Sequence, residues 1–138
     1  MRTVDVSRAV RAQPAAVDRL LTPETIVEYE GSFTVRGIDE TDDGWIVTAG
    51  SRGLQLSLRF EALEDEPGFY YELEGEDGPL EVMETTLSIA PENEGTRVSA
   101  TSTVHMGVRP VGLADRIAAW KRKGELKRAL AELAADVE

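Results

Sequence analysis

The chain has 138 residues, 41% of them hydrophobic, which suits one domain, 1-138, with a real core. Its 26 acidic residues against 15 basic give a formal net charge of -11, a field that repels phosphate backbones, so nucleic acid is not an expected partner. Cysteine is absent, which excludes disulfides, thiolate metal sites and cysteine nucleophiles. No run approaches the ~18 apolar residues of a membrane span, and the opening MRTVDVSRAV lacks the apolar region of a signal peptide, so the expected compartment is the cytoplasm. Arginine outnumbers lysine twelve to three, with all three lysines in one segment, Lys121, Lys123 and Lys127. An acidic, lysine-poor surface stays hydrated in concentrated salt, and a halophilic source is the expectation.

In chain order, the first element is a strand near 2-10, RTVDVSRAV. AQPAAVDRLL follows as a short helix, with Pro14 in its first turn and Val17, Leu20 and Leu21 on its apolar face. TPETIVEYE restarts a helix, with Thr22 as N-cap, Pro23 at the first helical position and Glu24 favourable to the dipole. Six strands come next, near 32-40, 44-50, 54-63, 68-75, 80-90 and 96-107, separated by DDG, GSRG, DEPG, EDG and PENEG.

Their faces follow from hairpin arithmetic, because residues opposite one another in an antiparallel pair have indices of constant sum and point to one side. A four-residue GSRG loop pairs Ala49 with Leu54, so Trp45, Val47 and Ala49 share a face with Leu54, Leu56, Leu58 and Phe60. A loop at Glu64 to Pro67 pairs Phe60 with Tyr71, and a two-residue Asp77-Gly78 turn sets Leu73 opposite Met83 and Tyr71 opposite Thr85. A loop at Glu92 to Gly95 sets Thr85 opposite Ser102 and Met83 opposite Val104. One face stays apolar through five strands, while the other carries Arg59, Glu61, Glu72, Glu84 and a row of serines and threonines.

An antiparallel sheet with one apolar face needs a cover. LADRIAAWKRKGELKRALAELAADVE provides it, with Leu113, Ile117, Trp120, Leu126, Leu130, Leu133 and Val137 near helical spacing; Gly124 marks a bend or close approach.

The order βααββββββα, with the opening VDVSRAVRAQPAAVDRLLT and the closing KGELKRALAEL, resembles the START-like or SRPBCC superfamily. The resemblance covers nearly the whole length and implies an α+β helix-grip fold. In that fold a seven-stranded antiparallel curved sheet wraps a long C-terminal helix, with two short helices after strand 1. It also implies a hydrophobic cavity between sheet and helix. The glycine-rich loop of the pollen-allergen branch is absent.

Within that expectation, Tyr71, Thr85 and Ser102 form a row of hydroxyls on an otherwise apolar wall. Unpartnered, each costs roughly 1 to 3 kcal/mol, so they bond one another, water or the polar end of a ligand. The ligand's apolar body is expected along Trp45, Leu56, Leu58, Met83, Ile117 and Trp120. The leading functional expectation is binding of a hydrophobic small molecule or lipid, with no cofactor and no metal. The alternative is a polyketide cyclase or dehydratase-like enzyme with Tyr71 and Glu81 as acid-base groups, Glu81 falling on the inner face opposite Met106. A third reading is a protein-protein adaptor with a filled cavity. Arg8 and Arg36 are weaker candidates for an anionic ligand or for Glu81. His105, the sole histidine, falls on the outer, exposed face. DETDDG from Asp39 imitates the start of a calcium loop, but Gly50 stands where the bidentate glutamate belongs, so it reads as a hairpin turn. Six basic residues on the last helix, Arg116, Lys121, Arg122, Lys123, Lys127 and Arg128, read as a solvated face. Weak peripheral membrane contact during lipid pick-up is the lesser reading.

Overall fold

A computed structural model describes residues 1–75 and 80–138; the expected Asp77-Gly78 turn lies outside the described residues. The elements are β1 (Arg2–Val10), α1 (Pro14–Leu20), α2 (Pro23–Glu30), β2 (Thr34–Glu40), β3 (Trp45–Ser51), β4 (Leu54–Ala62), β5 (Gly68–Glu74), β6 (Val82–Glu92), β7 (Gly95–His105) and α3 (Val111–Val137). β2 to β7 run as an antiparallel meander and β1 closes beside β7, giving the order β1-β7-β6-β5-β4-β3-β2. This is the helix-grip arrangement: one open sheet, one long helix on its apolar face, two short helices at the side. No helix among the described residues is long and apolar enough to cross a membrane.

The pairs Phe60 with Tyr71, Tyr71 with Thr85, Thr85 with Ser102 and Met83 with Val104 all stand as the arithmetic gives them. One hairpin differs. Ala49 pairs with Leu56 instead of Leu54, because Arg52 and Gly53 both take left-handed backbone (φ 49° and 83°) and close a two-residue turn within GSRG. A slip of two residues preserves side-chain parity, so the inner face is unchanged. β2 carries a bulge at Arg36, between Val35 and Gly37, and β1 sets Val4 against Ser102 and Val6 against Ala100. The residues from Asp39 to Gly44 form the β2–β3 hairpin, where the Thr41 N–H bonds the Gly44 carbonyl at 2.8 Å.

Local chemistry sets the helices. Thr22 caps α2 through a reciprocal box with Thr25, and Pro23 occupies the first turn. Gly31 ends α2 in left-handed backbone (φ 81°), fixing Glu30 as its last residue. The core joins the inner sheet face, including Val47, Phe60, Tyr71, Leu87, Val98 and Val104, to Val17, Ile26 and Val27 of the short helices and Leu126, Leu130 and Leu133 of α3.

α3 is continuous through Gly124, with open space where a Cβ would stand. Its buried stripe is not the expected one. Asp115, Ala119, Arg122, Leu126, Leu130 and Leu133 face inward, whereas Leu113, Ile117 and Trp120 are exposed, Trp120 by 79%. At 100° per residue, the three exposed side chains lie roughly 120–180° around the helix from Leu126, while Asp115, Ala119 and Arg122 lie within about 40° of it.

Candidate functional site

Glu30 stands at the C-terminal end of α2, where a carboxylate opposes the helix dipole. It is nonetheless buried, because Arg122 reaches across from α3 to meet it, Nη1 to Oε1 at 2.7 Å and Nη2 to Oε2 at 3.2 Å. The same guanidinium bonds Glu125 Oε1 at 3.2 Å, Ser102 Oγ at 3.1 Å, the Tyr71 hydroxyl at 3.0 Å and Thr85 Oγ1 at 2.8 Å. All five guanidinium hydrogens therefore point at acceptors. Tyr71 donates its own proton to Glu30 Oε2, Ser32 bonds Glu125, and Thr85 shares a 2.8 Å bond with Ser102. Every buried side-chain polar atom among the described residues has a partner.

On β6 the inward Thr85 stands between the apolar Met83 and Leu87, where its oxygen accepts from this guanidinium. The three hydroxyls are ligands of a buried arginine. Phe60 stacks on Tyr71 with ring centroids 4.5 Å apart, and Arg122 lies 5.7 Å from the Tyr71 ring centroid. Burial pushes the Tyr71 phenol well above its ordinary value and the Glu30 carboxylate pushes it further, with Arg122 pulling the other way. For Arg122, burial alone favours the neutral form, but Glu30, Tyr71 and Glu125 outweigh it and the guanidinium is held more firmly charged than usual.

Beside this cluster lies a cavity of about 230 Å³ between sheet and helix. Leu54, Leu56 and Leu58 of β4, Leu73 of β5, Leu80 and Met83 form its apolar wall, and Glu30, Arg122 and Glu125 form its polar end. The lining residues Ile117 and Lys121 are exposed and mark its mouth.

Of the residues expected to bind a ligand, Leu56, Leu58, Met83 and Ile117 line this cavity. The rest need correction. Tyr71, Thr85 and Ser102 sit beneath Arg122, bonded to it, and are not part of the lining. Trp45 packs edge-on against Phe69 with centroids 5.8 Å apart, and Trp120 stands in solvent because its angle on α3 points away from the sheet. Glu81 is at the rim, 63% exposed, its carboxylate 3.3 Å from His105 Nε2; no hydrogen bond among the described residues joins it to Tyr71. Its parity is inner and its N–H bonds the His105 carbonyl at 2.8 Å, but it stands just before β6 begins at Val82, at the end of the sheet, where its side chain is not covered. His105 is partly buried, because Asp115 from α3 bonds its Nδ1 at 2.9 Å. The Met1 amino group, the Met106 N–H and His105 together hold the Asp115 carboxyl well below the usual carboxylate range. Arg8 and Arg36 are exposed, Arg8 on the edge strand and Arg36 at the bulge.

The sequence reading missed Glu30 and put Arg122 on a solvated face, whereas it is buried against the sheet among its five acceptor residues. The available signal was the stripe of α3: followed back from Leu133 through Leu130 and Leu126, it passes through Arg122, Ala119 and Asp115.

The fold recurs in solved structures. XoxI from Bacillus cereus superposes with a TM-score of 0.75 at 17% identity, covering 99% of this chain and 96% of that one. A START superfamily protein from Mycobacterium smegmatis gives 0.69 at 14% identity, with 99% of each chain covered. The di-domain ARO/CYC BexL from the BE-7585A biosynthetic pathway gives 0.66 at 20% identity, over 94% of this chain and 45% of that one. At these identities the likeness is one of fold. No curated protein matches the sequence. The family model for "Polyketide cyclase / dehydrase and lipid transport" matches residues 1–138, and the chain belongs to that family.

Proposed function

We propose that the chain binds a small amphiphile, its apolar body against Leu56, Leu58, Leu73 and Met83 and its polar end toward Glu30 and Glu125. The observation that carries this is the saturation of Arg122. With all its hydrogens spent on protein acceptors, the spare capacity at the polar end belongs to carboxylate oxygens, which accept. A hydroxyl or amine satisfies them; a carboxylate or a bare carbonyl does not. About 150 Å³ of apolar cavity holds one benzene ring, so 230 Å³ suits one or two rings or a medium alkyl chain. That is below the roughly 300–1,000 Å³ of drug-sized sites.

Native mass spectrometry of the purified protein tests for a co-purified ligand, and titration with probes tests its chemistry. A medium-chain alkanol should bind more tightly than the alkanoic acid of equal length at neutral pH. Leu56→Trp should abolish binding of both by filling the cavity. An acid that binds better than the alcohol would reverse the proposed orientation and put the polar end at Lys121.

One observation favours a second reading, a cyclase or dehydratase-like enzyme: the Glu30 carboxylate stands in the cavity wall beside a charged guanidinium. In that reading Glu30, instead of Tyr71 and Glu81, is the acid-base group. Turnover of a polyketone by the wild type, abolished in Glu30→Gln, would replace the binding proposal.

A further inference from the structure

The N-terminal half of α3 and the segment before it combine three properties. Among the described residues, the exposed large hydrophobic side chains are Met1, Val108, Leu113, Ile117 and Trp120. Four of these lie between residues 108 and 120, and Met1 joins them through its amino group, 2.7 Å from Asp115 of α3. Leu113, Ile117 and Trp120 are spaced i, i+4, i+7, one face of a helix. Surface apolar residues scattered singly need no explanation, but a contiguous group at one place does.

The charge is equally local. Residues 106–124 contain five basic residues and one acid, a net +4, against -15 for the rest of the chain. The acid, Asp115, is buried and engaged by His105, Met106 and Met1, and one base, Arg122, is buried in the core. The surface left is cationic, with Arg109, Arg116, Lys121 and Lys123 exposed around the apolar face. The third property is position, because Ile117 and Lys121 also form the mouth of the cavity.

We infer that this face docks on an anionic lipid bilayer, with Leu113, Ile117 and Trp120 entering the headgroup boundary and Arg116, Lys121 and Lys123 on lipid phosphates. An apolar helix face fringed by lysine and arginine, with tryptophan at its edge, is the pattern of an interfacial helix. The sheet does not compete for it, since these side chains lie on the far side of α3 from Leu126. A second copy is a poor occupant, because a two-fold contact sets each cationic fringe against itself. Docking brings the cavity mouth to the membrane surface, where an amphiphile enters without crossing water. The inference goes beyond the cavity reading and does not depend on the ligand.

Trp45→Phe leaves Trp120 as the sole tryptophan and makes its fluorescence a direct reporter. Vesicles of phosphatidylglycerol at about 0.1 M salt should shift that emission to the blue and carry the protein down on sedimentation, while phosphatidylcholine vesicles should bind at least about tenfold more weakly. In the wild-type background Trp120→Ser should cut sedimentation, and Lys123→Ala should weaken it about fivefold. An emission unmoved by either vesicle overturns the inference, as does equal binding to both. A blue shift that grows with protein concentration and doubled mass, without lipid, assigns the face to self-association instead. A shift with an acidic peptide but not with vesicles assigns it to a protein partner. None of these outcomes bears on whether the cavity takes an alcohol.

Discussion

The two halves of α3 differ in what they bury. From Leu126 onward the helix is an ordinary cover, setting Leu126, Leu130, Leu133 and Ala134 against the sheet and the short helices. Before Gly124 the inward stripe is Asp115, Ala119 and Arg122, and the large apolar side chains point outward. The stripe keeps one line along the helix, so the change is of chemistry and not of geometry. A helix that needed only to be held would bury leucine throughout. This one gives half its inner face to charge, beside a cavity, and half its outer face to apolar surface.

The largest expected effect comes from removing the charge. Arg122→Ala leaves Glu30 buried beside Tyr71 with no counter-charge and should cost about 3–5 kcal/mol of stability in urea unfolding. Leu133→Ala, in the other half, should cost about 2–5 kcal/mol through lost burial and the space left behind. The two differ in a second readout: the arginine substitution should also alter binding of an alkanol probe, and the leucine substitution should not. A loss below about 1 kcal/mol at Arg122 would mean that the polar half is ordinary surface chemistry, and the contrast would collapse.

Why the sequence showed one half better than the other follows from the same contrast. The register of β4 to β7 was legible because period-2 alternation over long strands has a single solution once the turns are bounded. The one slip, at GSRG, came from Arg52 accepting a left-handed backbone usually left to glycine or asparagine. In α3 the leucines after Gly124 declared their face. Leu113, Ile117 and Trp120 then drew the reading to the wrong side, because apolar residues are assumed to point inward. A buried arginine defeats that assumption. Three of its five partners were visible as Tyr71, Thr85 and Ser102 in one row, but Glu125 belongs to α3 itself and Glu30 to a different helix, and no pairing rule linked either to the sheet. Parity alone also misjudged Glu81, since alternation assigns a face but not whether the sheet extends far enough to cover it.

Tyr71 sharpens the comparison at smaller cost. Tyr71→Phe removes both hydrogen bonds of the hydroxyl, the one it donates to Glu30 and the one it accepts from Arg122, and should lower stability by at least about 1.5–3 kcal/mol at neutral pH, while Glu30 and Arg122 keep each other. It should also change the alkaline limb. All three tyrosines of the chain have raised phenols: Tyr29 to about 12 through burial and Asp136, Tyr70 through burial with Glu72 and Glu84, Tyr71 through burial and Glu30. The unfolded chain ionises them near pH ~10. Above that pH the folded state holds protons that the unfolded state has lost, so stability falls as pH rises, by about 1.4 kcal/mol per pH unit for each tyrosine. Below pH ~10 the contribution is complete. The urea midpoint plotted between pH about 10 and 11 should therefore fall less steeply in Tyr71→Phe, by one proton's share. An unchanged slope would mean that the Tyr71 phenol ionises in the folded protein and that its burial under Arg122 is not tight.

The smallest expected effect lies at the boundary between the halves. Gly124 is in mid-helix, exposed, without left-handed backbone, and a Cβ built there meets nothing within 4 Å. Gly124→Ala should therefore stabilise the protein by about 1 kcal/mol, through helix propensity and a less flexible unfolded chain, and raise the melting temperature by a few degrees. Since the new methyl touches neither Arg122 nor the cavity wall, binding of an alkanol probe should be unchanged. A gain in stability with weaker binding would show that the two halves move relative to each other when the cavity fills, with the glycine as the place where α3 gives. Unchanged binding would make α3 a rigid bar, one end fixed in the core and the other carrying the cluster at the cavity.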